Sequence, residues 1–133
     1  MKAIDIVAQY YQAFNEKNWA KMIALADENI QHDSNEGATT IGIEAFKKFV
    51  QKMEVAYDET LTEIVLLSEP SDTRVAAEFI VHGSYLHTEE GLPEAKGQKY
   101  ELPAGAFLEV KNEKITRVTT YYNLNLWIQL VSQ

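Results

Sequence analysis

Hydrophobic positions follow a helical period in the first half of the chain and a two-residue period in the second. Val7, Tyr10, Tyr11 and Phe14 fall at i, i+3, i+4 and i+7, one stripe of an amphipathic helix. Asn18 is placed to cap a second, short helix, on which Trp19, Met22, Ile23 and Ala26 repeat the stripe. A third helix is predicted from Gly42 onward. Its apolar face is Ile43, Phe46, Phe49, Val50, Met53 and Tyr57, with Lys47, Lys48, Gln51 and Glu54 toward water.

From Arg74 to Tyr85, the set Val75, Ala77, Phe79, Val81, Gly83 and Tyr85 alternates with Arg74, Ala76, Glu78, Ile80, His82 and Ser84. From Tyr100 to Val110, the set Leu102, Ala104, Ala106 and Leu108 alternates with Glu101, Pro103, Gly105, Phe107 and Glu109. Both patterns predict strands with one apolar face. Glu69-Pro70-Ser71-Asp72 turns an earlier strand, Leu61 to Ser68, back into the Arg74 strand. Lys111-Asn112-Glu113-Lys114 turns into a last strand, Ile115 to Leu126. Pro103 and Gly105 within one strand predict an edge or a bulged bend, because proline donates no ladder bond. With no repeat or linker, residues 1–133 read as a single domain of α+β class.

Composition narrows the partners. Twenty acids against twelve bases give a net charge of −8, which repels phosphate backbones and anionic lipid surfaces, so no nucleic-acid or membrane partner is expected. The absence of cysteine removes thiolate metal sites and cysteine nucleophiles. The opening residues do not read as a secretory signal, and the expected location is cytoplasmic.

Several inward strand positions are small: Ala77, Gly83, Ala104 and Ala106. Large side chains on the helices face them, and small residues on a curved sheet must be met by bulk or leave a void. The stretches Tyr10-Tyr11-Gln12-Ala13-Phe14-Asn15, Gly83-Ser84-Tyr85, Leu102-Pro103-Ala104-Gly105-Ala106-Phe107 and Tyr121-Tyr122-Asn123 resemble the ketosteroid isomerase-related, SnoaL-like proteins of the nuclear transport factor two-like superfamily. The resemblance covers nearly the whole chain. It implies a cone-shaped barrel of three N-terminal helices packed on a curved antiparallel sheet, with a pocket between them and commonly a homodimer. It fixes chemistry less well than fold.

The resemblance puts Asp33 where a ketosteroid isomerase keeps its proton-moving aspartate, and Tyr10 where it keeps an oxyanion-donating tyrosine, with Tyr11 as a rival. Alternation from Ile30 instead sends His32 inward and Asp33 outward. The resemblance is followed for Asp33, and His32 is kept as a helper or base. The catalytic set is therefore Asp33, Tyr10 and His32. The family's second oxyanion donor, a protonated aspartate, has no counterpart in Ala104-Gly105-Ala106, where Tyr100 or Tyr122 would have to substitute. The expected substrate-binding residues are Tyr11, Phe14, Phe46, Phe49, Met53, Phe79, Tyr100, Ala104, Ala106 and Tyr122.

No cofactor is expected. No metal site is expected either, since His82 and His87 face opposite ways on a strand. Epoxide hydrolysis in this superfamily uses an arginine between acids, and Arg74 and Arg117 are both predicted on the outer face. That face, with Glu78, Ile80, His82, Phe107, Arg117, Thr119 and Tyr121, has the composition of a homodimer interface, with Glu78 and Arg117 as a possible pair. The function expected is a cofactor-independent isomerase, cyclase or dehydratase acting on a small hydrophobic carbonyl compound. The alternatives are a non-catalytic binder of an apolar ligand and a dimeric scaffold with a filled core.

Overall fold

A computed structural model describes residues 1–133. Helix α1 spans Ala3–Asn15, opened by the Asp5 carboxylate, which accepts the Lys2 backbone N–H at 3.3 Å. It buries Ile6, Val7, Tyr10, Tyr11 and Ala13. Asn18 caps α2 (Trp19–Ala24), accepting the Lys21 N–H at 3.2 Å. Strands β1 (Ala26–Asp33) and β2 (Thr39–Ile41) follow, then α3 (Ile43–Ala56). Gly42 enters α3 at φ 105°, a backbone setting that side-chain-bearing residues rarely adopt.

Four further strands complete the sheet: β3 (Tyr57–Ser68), β4 (Arg74–Tyr85), β5 (Gln98–Lys111) and β6 (Lys114–Tyr122). The Glu69 carboxylate organises the β3–β4 turn by accepting the Ser71 hydroxyl and the N–H groups of Ser71, Thr73 and Arg74, and these bonds, the hydroxyl first, hold its pKa down to about 2. Asn112 and Glu113, both at positive φ, close the two-residue β5–β6 hairpin. The sheet order is β2-β1-β6-β5-β4-β3. One pair, β1 with β6, is parallel and every other pair is antiparallel, so the sheet is mixed rather than wholly antiparallel.

Two elements differ from expectation for local reasons, and Pro103 takes one of its two expected places. Tyr57 does not end the third helix but opens β3, pairing with Tyr85, so the strand begins four residues before Leu61. The last strand stops at Tyr122. Asn123 there caps a fourth helix, α4 (Leu124–Val131), by accepting the Leu126 N–H at 3.0 Å. Pro103 sits in no bulge, and its register against Ile80 is regular. It does lie in the half of β5 that β6 does not reach, since β6 pairing ends at Ala104, so that half has a strand on one side only.

The core is one cluster built from the inner sheet face and the buried faces of α1, α3 and α4. The Tyr57–Tyr85 stack and Trp127, which meets Tyr57, Tyr85 and Tyr100 edge-on, pin α4 to the sheet. No helix is long and apolar enough to cross a membrane.

Candidate active site

Helices and sheet do not close completely. They leave a cavity of about 350 Å³, and 17 of its 26 lining residues are hydrophobic, which is at the small end of ligand-site volumes. Exposed Glu36, Ala38, Thr40 and Lys52 among the lining residues mark its mouth. Of the residues expected to line a pocket, Tyr10, Tyr11, Phe14, His32, Phe49, Met53, Phe79, Tyr100, Ala104 and Tyr122 all do. Phe46 and Ala106 do not. Each is 1% exposed and packed into the core, Phe46 with its ring 5.7 Å from the His32 ring.

Asp33 does not line the cavity either, which corrects its expected orientation. Strand β1 runs unbroken through Asp33, which pairs with Thr39 of β2 and Thr119 of β6. Alternation therefore continues from buried Ile30 to buried His32, and Asp33 falls on the outer face. There its carboxylate accepts the Thr119 hydroxyl at 2.6 Å, the Thr39 hydroxyl at 2.8 Å and the Gln31 amide at 3.1 Å. Arg117 in turn donates to Thr119 at 2.6 Å. These bonds, that from Thr119 first, hold the Asp33 carboxyl below its ordinary value, so it is a poor base near neutrality.

His32 takes the inward place. It is 5% exposed, with its ring 4.1 Å from that of Phe49, and burial pushes its pKa below the usual 6.5, partly opposed by the Asp33 charge. The imidazole is thus neutral at pH 7, with one nitrogen able to accept a proton. It makes no hydrogen bond within the chain, yet no sealed polar atom lacks a partner, so its free nitrogen opens onto the cavity. The same reasoning applies to the hydroxyls of Tyr10 and Tyr11, whose side chains are otherwise buried. Burial raises both phenols well above the ordinary tyrosine value and keeps them as O–H donors.

Residues 7–118 match the family model of the SnoaL-like domain. The chain belongs to the SnoaL-like family. A candidate polyketide cyclase from Xanthomonas campestris pv. campestris is 49% identical and superposes with a TM-score of 0.92, over 97% of this chain and 96% of that one. Another, from Pseudomonas putida KT2440, is 46% identical with a TM-score of 0.97, over 98% of each chain. An NTF2-like protein from Burkholderia pseudomallei K96243, at 12% identity, TM-score 0.82 and 98% coverage of both chains, shares the fold alone. No curated protein matches the chain.

Sequence reasoning missed the acids of this SnoaL-like cavity. Glu59 lines it from β3, and its side chain accepts the Tyr100 hydroxyl. Burial raises the Glu59 carboxyl above the ordinary value, with the Tyr100 hydrogen bond and the Lys17 charge only partly opposing. Glu89, from the loop after β4, accepts the Tyr57 hydroxyl at 3.0 Å and meets Lys52 Nζ at 3.0 Å. The signal for Glu59 was its two-residue spacing from inward Leu61, hidden when the strand was begun at Leu61. Trp127 was missed with α4. Tyr122, raised to about 12 mainly by burial, is the last inward residue of β6.

The outer face holds Arg117, as expected, but paired with Glu109 rather than Glu78. Phe107 and Tyr121 pack edge-on there and are 50% and 56% exposed. His82 bonds Thr62 at 2.8 Å. No cluster of three metal-ligating side chains forms.

Proposed function

We propose that this SnoaL-like protein takes a small hydrophobic carbonyl compound into its cavity and moves a proton on it without a cofactor, as an isomerase, cyclase or dehydratase does. One observation carries the proposal: His32, Tyr10 and Tyr11 are each at least 95% buried, yet open unpartnered polar atoms onto one apolar cavity. His32 is the base that accepts a proton from carbon next to the carbonyl. Tyr10 and Tyr11 supply O–H donors for the oxygen as it gains charge, where apolar surroundings strengthen each bond. The names of the two cyclase candidates fit a carbonyl-rich substrate.

The test uses 1-tetralone and 2-tetralone as bicyclic ketone probes, in D₂O near neutral pH. Proton NMR follows loss of the hydrogens next to the carbonyl. The expected result is exchange faster than buffer alone, abolished by a tight-binding non-exchangeable competitor. A second reading, a non-catalytic binder of apolar ligands, is favoured by the outward Asp33 and by the lack of an acid in Ala104-Gly105-Ala106. Saturable binding with no exchange on any ketone would establish it and overturn the catalytic proposal.

The outer sheet face is proposed as the contact between two copies of the chain, centred on the exposed Phe107–Tyr121 pair. Exposed aromatic area bordered by ion pairs supports it.

A further inference from the structure

The inner face of the sheet carries no side chain at Gly83. Glu59, Gly83 and Tyr100 form one cross-strand row, Glu59 opposite Gly83 and Gly83 opposite Tyr100. With a hydrogen in place of a side chain at Gly83, the Tyr100 ring lies over β4 and its hydroxyl reaches the Glu59 carboxyl two strands away. A Cβ at residue 83 would stand 2.3 Å from Tyr100 Cζ and 2.4 Å from its hydroxyl, closer than real atoms come. Gly83 is therefore what permits the pair. Tyr100 occupies Oε2 of Glu59, and both residues line the cavity.

We propose that Glu59, held by Tyr100 across the gap at Gly83, presents a carboxylic O–H to the carbonyl oxygen of the cavity's ligand. Oε2 accepts from Tyr100 while Oε1 carries the proton and donates it in a hydrogen bond, so no bond to the ligand forms or breaks. An acid O–H is a stronger donor than a phenol, and Glu59 thereby supplies the second donor that Ala104-Gly105-Ala106 lacks, from a different strand. Burial first, then Tyr100 from β5, Lys17 after α1 and neighbouring Asp58 set its proton affinity. The proposal rests on the cavity taking a carbonyl compound but not on turnover.

Binding of 1-tetralone and of tetralin, the same skeleton without oxygen, is measured by calorimetry on the whole chain from pH 5 to 9. Wild type should prefer the ketone, and the preference should fall as pH rises and Glu59 loses its proton, while tetralin affinity stays level. Glu59→Ala should lose about tenfold in ketone affinity only, the scale of one hydrogen bond. Glu59→Gln, which keeps an N–H donor, should retain most of the preference and lose its pH dependence above pH 6.5, since His32 in the same cavity titrates only below that. Gly83→Ala should weaken the ketone preference and also lower the melting temperature, because the buried Tyr100 ring has to move. Tyr100→Phe removes a hydrogen bond that stabilises the charged carboxylate, so the pH midpoint should rise. An unchanged ketone preference in Glu59→Ala, or a pH dependence above pH 6.5 that survives Glu59→Gln, would overturn the proposal. If ketone exchange fails but these binding results hold, the catalytic proposal falls and this one stands.

Discussion

His32 and Asp33 are neighbours on one strand, yet the two faces of the sheet treat them oppositely. On the inner face, His32 has aromatic rings against it and no partner in the chain, so burial keeps it neutral. On the outer face, Asp33 is held by three side-chain donors with Arg117 behind them, so its charge is fixed. A side chain whose bonds are all satisfied within the fold is structural. One left unsatisfied beside a cavity is available to a ligand. The difference rests on strand parity alone.

Phe46→Ala strikes the comparison hardest, because Phe46 is fully buried beneath His32. It should cost about 3–5 kcal/mol of unfolding free energy, read from denaturant midpoints, and should loosen His32. Thr119→Val removes the chief donor to Asp33 and should cost about 1–2 kcal/mol at pH 7, with cavity binding unchanged.

The pH dependence of stability separates the two faces further. His32 has a folded pKa below 6.5, so the unfolded chain binds the proton more readily. Its contribution is full above pH 6.5 and is lost as pH falls from there toward the folded pKa. Asp33 has a folded pKa below 3.8, so its contribution is present above 3.8 and lost only as pH falls further, through the folded value. His32→Gln should therefore flatten the melting temperature just below pH 6.5, whereas Asp33→Asn should flatten it only below about pH 4. The smallest effect is expected at the outer surface. Phe107→Ser should change monomer stability by only about 0.5 kcal/mol, while shifting sedimentation toward the monomer if two copies meet on that face.

Much of this was legible in the sequence, and the gaps have specific causes. The stripes on α1 and α3 and the alternation in β4 and β5 are long enough to fix period and face, so ten of the expected lining residues do line the cavity. Alternation from Ile30 gave the correct side for His32, and a family likeness outweighed it wrongly for Asp33. Similarity over a whole fold does not carry the facing of one residue. Glu59 was lost at the α3–β3 junction, where Tyr57 fits either a helical stripe or a strand. Leu124 and Leu126 continue the alternation of β6, so the pattern predicts strand where the Asn123 cap in fact starts α4. The Glu59–Tyr100 pair depends on residues 41 positions apart meeting over one glycine, which no local pattern encodes.

The inner face presents His32 to the ligand, and the outer face keeps Asp33 for the fold. Ketone hydrogen exchange by wild type, His32→Gln and Asp33→Asn, measured side by side at pH 7, tests this most directly. The account predicts a loss of about 100-fold or more for His32→Gln and a rate within about twofold of wild type for Asp33→Asn, since no bond of Asp33 reaches the cavity. Loss of exchange in Asp33→Asn with His32→Gln unaffected would contradict it.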